Sequence, residues 1–147
     1  MNILVCTDGS EDSQKALEVA SNIAMGCNPD DVAIIHVYHP QDITILGEAT
    51  TKTTIENFIK LEEKRKEEAT NILLKALKFI EEKNIKARTI FEEGHPAEII
   101  LRVASEQGFD MIVVGGRGAG SLKKLFLGSI SSALIQEAKN CAVVVIK

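Results

Sequence analysis

"DMIVVGGRGAGSLKKLFLGSISSAL", residues 110–134, decides how this chain folds. It opens on a continuous apolar run (110–115), the pattern of a strand buried on both faces. Gly115, Gly116, Gly118 and Gly120 then fall within six residues. A fifth glycine, Gly128, stands directly before Ser129 and the pattern of a last helix, "SISSALIQEAKN" (129–140). Glycine removes the steric cost of unusual backbone angles but loses more entropy on folding. A run this dense therefore marks backbone that bends tightly or lies against something.

Working outward, the same alternation of short apolar runs and helical spacings repeats along the chain. Strands are predicted at 2–7, 31–38, 86–93, 110–115 and 142–147. The first helix follows Ser10 as N-cap, with Glu11 and Asp12 in its first turn, Ala16, Leu17, Ala20, Ile23 and Ala24 on its apolar face, and Gly26 as its stop. A long helix is predicted over 55–83, marked by Phe58, Ile59, Ala69, Ile72, Leu73, Ala76, Leu77 and Ile80, with a polar middle, "EEKRKEE". Pro96 suits the first position of a helix over 96–108. Five buried strands separated by helices imply an α/β fold, a parallel sheet covered on both faces with right-handed crossovers. Such sheets bind ligands beyond the carboxyl ends of their strands, where strand order reverses.

Composition excludes several classes. A length of 147 residues with 45% hydrophobic and 26% charged content fits one globular domain over 1–147. A net charge of −4 argues against a general nucleic-acid surface. No apolar run approaches the roughly 20 residues that cross a bilayer, and "MNILVCTDGS" enters a strand with no signal-peptide pattern. A soluble, cytoplasmic protein is expected, with no nucleic acid or membrane as partner. Cys6, Cys27 and Cys141 form no metal-spaced cluster and read as small apolar residues in or near the core. His36 reads as a core imidazole, while His39 and His95 fall in loops and form no helix-spaced metal pair.

The glycine segment has the chemistry of an anion site. Residues 118–121 can turn backbone N–H groups inward to form a concavity. Gly128, Ser129 and Ile130 open a helix whose first N–H groups lack intrahelical partners and whose dipole favours negative charge. Arg117, Lys123 and Lys124 add positive charge at the rim, and a polyphosphate fits this set better than a lone carboxylate. Each part also has a plainer role: Ser129 as a helix cap, the lysine pair as a solvated face. A Walker A loop is excluded because Ser121, not lysine, follows Gly120. The dinucleotide fingerprint fails because only Gly9 follows the first strand.

Gly115-x-x-Gly118, nine intervening residues, then Gly128-Ser129 resembles the G-2x-G-9x-G-(S/T) motif of nucleotide-binding universal stress proteins. "ILVCTDGSEDSQKAL", "IIHV", "EEGHPAEII" and "AVVVIK" also fall where that family has their counterparts, so the resemblance covers the whole chain. It implies a Rossmann-like open five-stranded sheet in the order 3-2-1-4-5. It further implies ATP, with Mg²⁺, bound between the first and fourth strands. By position, Thr7 and Asp8 would sit beside adenosine, Val37 at the adenine edge, and Val114 and Gly115 under the nucleotide. Gly118 and Gly128 through Ile130 would hold the phosphates, with Arg117, Ser121, Lys123 and Lys124 at the rim. Asp8 has two readings, a ligand neighbour able to help place Mg²⁺ and a turn residue bonding local N–H groups. A phospho-accepting receiver domain is not expected, since the third strand ends in Glu92-Glu93 and the predicted fifth strand runs to the last residue of the sequence.

No residue stands out as activating a water for hydrolysis. The expected function is therefore ATP binding by a regulatory, stress-response module. A slow Mg²⁺-dependent ATPase and a nucleotide-free dimeric scaffold are the alternatives. A homodimer is expected through the edge of the last strand, because an unpaired apolar edge invites association. The long connection 39–54 reads as a lid, an interface or a surface loop.

Overall fold

Side-chain alternation along the strand Asn2–Cys6 (β1) sorts the core into two layers. Ile3 and Val5 enter one layer; Leu4 and Cys6 enter the other. β1 is followed by α1 (Glu11–Cys27), β2 (Asp31–Tyr38), a 3-10 turn (Ile43–Leu46) and α2 (Lys52–Glu81). Then come β3 (Arg88–Glu93), α3 (Pro96–Glu106), β4 (Met111–Gly115), α4 (Ser129–Glu137) and β5 (Ala142–Ile146). This is a computed structural model, and it describes residues 1–47, 51–117 and 127–147.

The five strands form a parallel sheet in the order β3-β2-β1-β4-β5, the order that the family resemblance implied. Leu4 at the centre pairs in register with Ala33 on one side and Ile112 on the other, all three fully buried. α1 and α2 cover the layer of Ile3, Val5, Ile34 and Val113, with Leu17 and Ile80 in its core. α3 and α4 cover the layer of Leu4, Ile35, Ile112 and Val114, with Ile100 and Leu134 in its core. Each fully buried aliphatic side chain of this kind contributes about 1.5–3 kcal/mol.

Helix ends differ from the sequence reading where local hydrogen bonds decide them. The Ser10 side chain caps α1 as expected, accepting from the Ser13 N–H at 3.2 Å. Gly26 does not stop that helix. It continues through Cys27 and ends at Asn28, which takes the left-handed conformation (φ 48°) and donates its N–H to Ala24. Cys27 is consequently exposed rather than in the core, whereas Cys6 is buried and Cys141 packs half-buried against the α3/α4 layer. α2 starts three residues earlier than predicted, because the Thr51 side chain accepts from the Thr54 N–H. Several other predicted elements run one to three residues past the observed ends, as with α4, which stops at Glu137.

The largest departure is along α2. Its 30 residues span about 45 Å, while the eight residues of β2 beneath it span about 26 Å. Only Ala69, Leu73, Ala76 and Ile80 are buried, and Ile59, predicted on the apolar face, is 48% exposed. Helical spacing marks a face, but the sheet is too short to cover all of it. Midway, Glu62 ties the helix to the end of β2: it accepts from the Tyr38 hydroxyl, the Gln41 N–H and Arg65 Nη1.

Candidate functional site

The chain leaves β1 into α1 on one face of the sheet, while α4, which follows β4, packs on the other, so the connections diverge between neighbouring strands. A cleft of about 420 Å³ opens at that point. Thr7 and Asp8 after β1, Val37 of β2, and Val114 and Gly115 at the end of β4 all line it. So do Arg117, Gly128, Ser129 and Ile130. Gly118, Ser121, Lys123 and Lys124 lie outside the described residues. The sequence reading missed Cys6, Ser13, Ile35, Pro96, Ile100 and Ser131, which also line the cleft. Their sequence signals were those of core, cap or helix-start residues, and only the fold turns them toward a common space.

The lining divides by chemistry. Ile35, Val37, Pro96, Ile100, Val114 and Ile130 make an apolar wall suited to a flat, uncharged ring. Thr7, Asp8, Ser13, Arg117 and the start of α4 supply the polar groups. Thr7 is held from two sides: its N–H donates to the Ile35 carbonyl at 3.0 Å, and its own carbonyl accepts from His36 Nδ1 at 2.7 Å. His36 is thus the satisfied core imidazole expected of it. Asp8 Oδ1 accepts from the Ser10 N–H at 2.9 Å, so its turn role is real and coexists with its place in the cleft.

The N-terminus of α4 has the physical features of an anion site. Gly128 is its N-cap in an extended conformation and has no side chain with which to cap the helix. The first intrahelical return is from the Ser132 N–H to the Gly128 carbonyl, so the N–H groups of Ser129, Ile130 and Ser131 have no intrahelical acceptor. Together with the helix dipole they favour negative charge in the cleft. Ser129 is the first helical residue and not its cap, which removes the capping alternative. Below it, the buried Ser131 hydroxyl lies 3.1 Å from the carbonyls of both Gly116 and Gly128. The Gly128 N–H donates to Gly116 at 2.7 Å, and the Gly116 N–H donates to Ile146 at the end of β5 at 2.6 Å. The glycine segment is thereby closed at its base and bonded to the edge strand.

Arg117 lines the cleft, but its charge is paired within the fold. Its Nε and Nη2 donate to the two carboxylate oxygens of Asp12 at 2.8 and 3.0 Å. This charge-assisted fork reaches from the end of β4 to the first turn of α1. The Arg117 hydrogen bond holds the Asp12 carboxyl below its usual range, against the opposing effect of burial. A depressed carboxyl adds stability that is complete above the unfolded value, about 4, and is lost as pH falls through the folded value. Urea midpoints measured from neutral to strongly acidic pH should therefore fall more steeply for wild type than for Asp12→Asn. Equal slopes would mean that the pair contributes nothing to acid sensitivity.

Among the described residues, no group of three or more His, Cys, Asp or Glu side chains is arranged to hold a metal. His39 and His95 lie side by side, ring centres 4.8 Å apart, with His39 Nδ1 on the Gly94 carbonyl. Of the 39–54 connection, residues 39–42, 44, 46, 47 and 51–54 are not among the described residues that line the cleft. No described helix is long and apolar enough to cross a membrane.

A sequence profile of the Universal stress protein family matches residues 1–147. The chain is 34% identical over 146 residues to Universal stress protein YxiE of Bacillus subtilis, covering 99% of this chain and 97% of that one. It is 31% identical over 151 residues to Universal stress protein MJ0577 of Methanocaldococcus jannaschii, covering 97% and 93%. The solved MJ0577 structure superposes with a TM-score of 0.78 over 99% of this chain and 94% of that one, at 29% identity. A universal stress protein from Archaeoglobus fulgidus, solved in complex with dAMP, shares the fold with a TM-score of 0.68 at 23% identity, over 100% and 98% of the two chains.

Proposed function

The chain belongs to the universal stress protein family, and we propose that it is an ATP-binding member, one regulatory nucleotide-binding domain over 1–147. The observation that carries this reading is the start of α4, capped by a glycine with no side chain, facing a cleft whose other wall is apolar. The base would lie against Ile35, Val37 and Ile100, the ribose beside Thr7 and Asp8, and the phosphates at Ser129 through Ser131. An adenine nucleotide is also what the Archaeoglobus fulgidus structure contains. Among the described residues Asp8 is the acidic side chain of the lining, so Mg²⁺ would arrive on the phosphates with that carboxylate beside it. That is the usual way Mg²⁺ is held, and its chemistry there is to offset phosphate charge.

Regulation requires the nucleotide to alter a surface, and the hydrogen bonds from Gly128 through Gly116 to Ile146 offer a route. They join the phosphate end of the cleft to β5 (Ala142–Ile146), an edge strand whose outer backbone pairs with no other strand among the described residues. Pairing of β5 with the same strand of a second copy gives a homodimer whose edge is bonded to the nucleotide segment. The cytoplasm, where ATP is abundant, is the compartment that suits this role.

The test begins with protein purified without added nucleotide, denatured and assayed for released ATP, ADP and AMP by anion-exchange chromatography. Melts with Mg-ATP are run in parallel on wild type and Gly128→Val, which puts a β-branched side chain at the N-cap. ATP at about 100 times its dissociation constant stabilises by about 2.7 kcal/mol, or about 5–10 °C for a chain of this size. A rise in wild type that is lost in the variant supports the reading. Absence of both carried nucleotide and thermal shift would overturn it in favour of the nucleotide-free scaffold. Phosphate release that depends on Mg²⁺ and on Gly118 would add slow hydrolysis.

A further inference from the structure

We propose that Asp12 is a specificity-determining residue, limiting how strongly the cleft favours ligands of higher phosphate charge by keeping the Arg117 guanidinium in a neutral pair. The inference rests on the nucleotide reading of the cleft and goes beyond it, since Asp12 itself is not among the residues that line the space.

Among the described lining residues the charged side chains are Asp8 and Arg117. Arg117 is thus the cation best placed to answer a phosphate, yet two of its five N–H groups are committed to Asp12. The Asp12 side chain is 4% exposed and that of Arg117 27%, so water screens the pair poorly on the carboxylate side. Lys15 Nζ stands 3.6 Å from Asp12 Oδ1, but it also pairs with Glu11 at 3.0 Å and is 42% exposed.

The carboxylate cannot easily withdraw. A Cβ built on Gly115 would come within 2.8 Å of the Asp12 carbonyl carbon and 2.9 Å of the Ser13 nitrogen, so β4 abuts the backbone that carries Asp12. The Ser10 hydroxyl at 3.5 Å from the Arg117 carbonyl brings the same two segments together. Backbone contact therefore sets the pair, and the charge of the pair is the variable. A paired arginine presents less counter-charge to phosphate than an unpaired one.

The pair's net charge predicts an ordered series. It is zero in wild type, +1 in Asp12→Asn, −1 in Arg117→Gln and zero again in the double variant. Calorimetry at low ionic strength without Mg²⁺ would measure adenosine, AMP, ATP and inorganic tripolyphosphate against all four forms. The ATP-to-adenosine affinity ratio should rise about tenfold in Asp12→Asn and fall about tenfold in Arg117→Gln. The double variant should return to within about threefold of wild type, AMP should show a smaller spread than ATP, and tripolyphosphate should follow the same order. A merely structural role would weaken adenosine and ATP together and leave the ratio flat.

A ratio and a tripolyphosphate affinity that stay within about twofold across the forms overturn the proposal. Should Asp12→Asn not fold, Arg117→Gln against the double variant carries the same comparison, one charge apart. If adenosine, AMP and ATP bind no form while tripolyphosphate keeps the order, the nucleotide reading fails and the role of Asp12 stands.

Discussion

Gly115→Val should lower the melting temperature by about 6–12 °C and remove most ATP-induced stabilisation. The reason is steric and local. Any Cβ at this position would sit 2.8 Å from the Asp12 carbonyl carbon, 2.9 Å from the Ser13 nitrogen and 3.0 Å from the Asp12 Cβ. Two of these three atoms are backbone in the first turn of α1, so no flexible side-chain end can yield. Overpacking of this kind costs about 3 kcal/mol, and about 2–4 °C accompanies each kcal/mol at this chain length. The rearrangement would also part the Asp12–Arg117 fork and widen the cleft. Gly26→Ala is the control, because a Cβ there meets nothing within 4 Å and the residue is helical. That change should be neutral or stabilise by up to about 1 kcal/mol. Similar melting curves for Gly115→Val and wild type would show that α1 tolerates displacement, and the tight abutment would lose its importance.

Ile80→Ala should cost about 2–5 kcal/mol, whereas Ile59→Ala on the same helix should change stability by no more than about 0.5 kcal/mol. Ile80 is 1% exposed and packs with Leu17, Leu73 and Ala76 beneath the sheet, while Ile59 is 48% exposed. The helix that joins them is continuous, so propensity and spacing treat the two alike. Urea denaturation of both variants gives the comparison directly. Equal losses would mean that the projecting half of α2 packs on something in solution, such as a second copy of the chain.

The two isoleucines also mark where reading a sequence stops. Periodicity located α2 and its apolar face correctly, since that pattern depends only on helical geometry. It assigned too much of that face to the core, because coverage depends on the length of the strands below. Ser129 gives the complementary case. Its type and position permitted a cap or a phosphate donor, and the extended Gly128 backbone one residue earlier decided against the cap. Arg117 was legible as a charge near the glycine segment. Its partner was not, because Asp12 lies 105 residues away and only the pairing of β1 with β4 brings them together.

The sequence by itself determined the strand–helix alternation, the two-faced core and the placement of the candidate site after β1 and β4. Those features follow from local period, from glycine's backbone freedom and from unpaired groups at a helix start. The tertiary structure alone decided which apolar residues close the cleft, how far α2 is covered, and that Arg117 is already neutralised. Each of these depends on distances between segments remote in the chain, which no local pattern encodes.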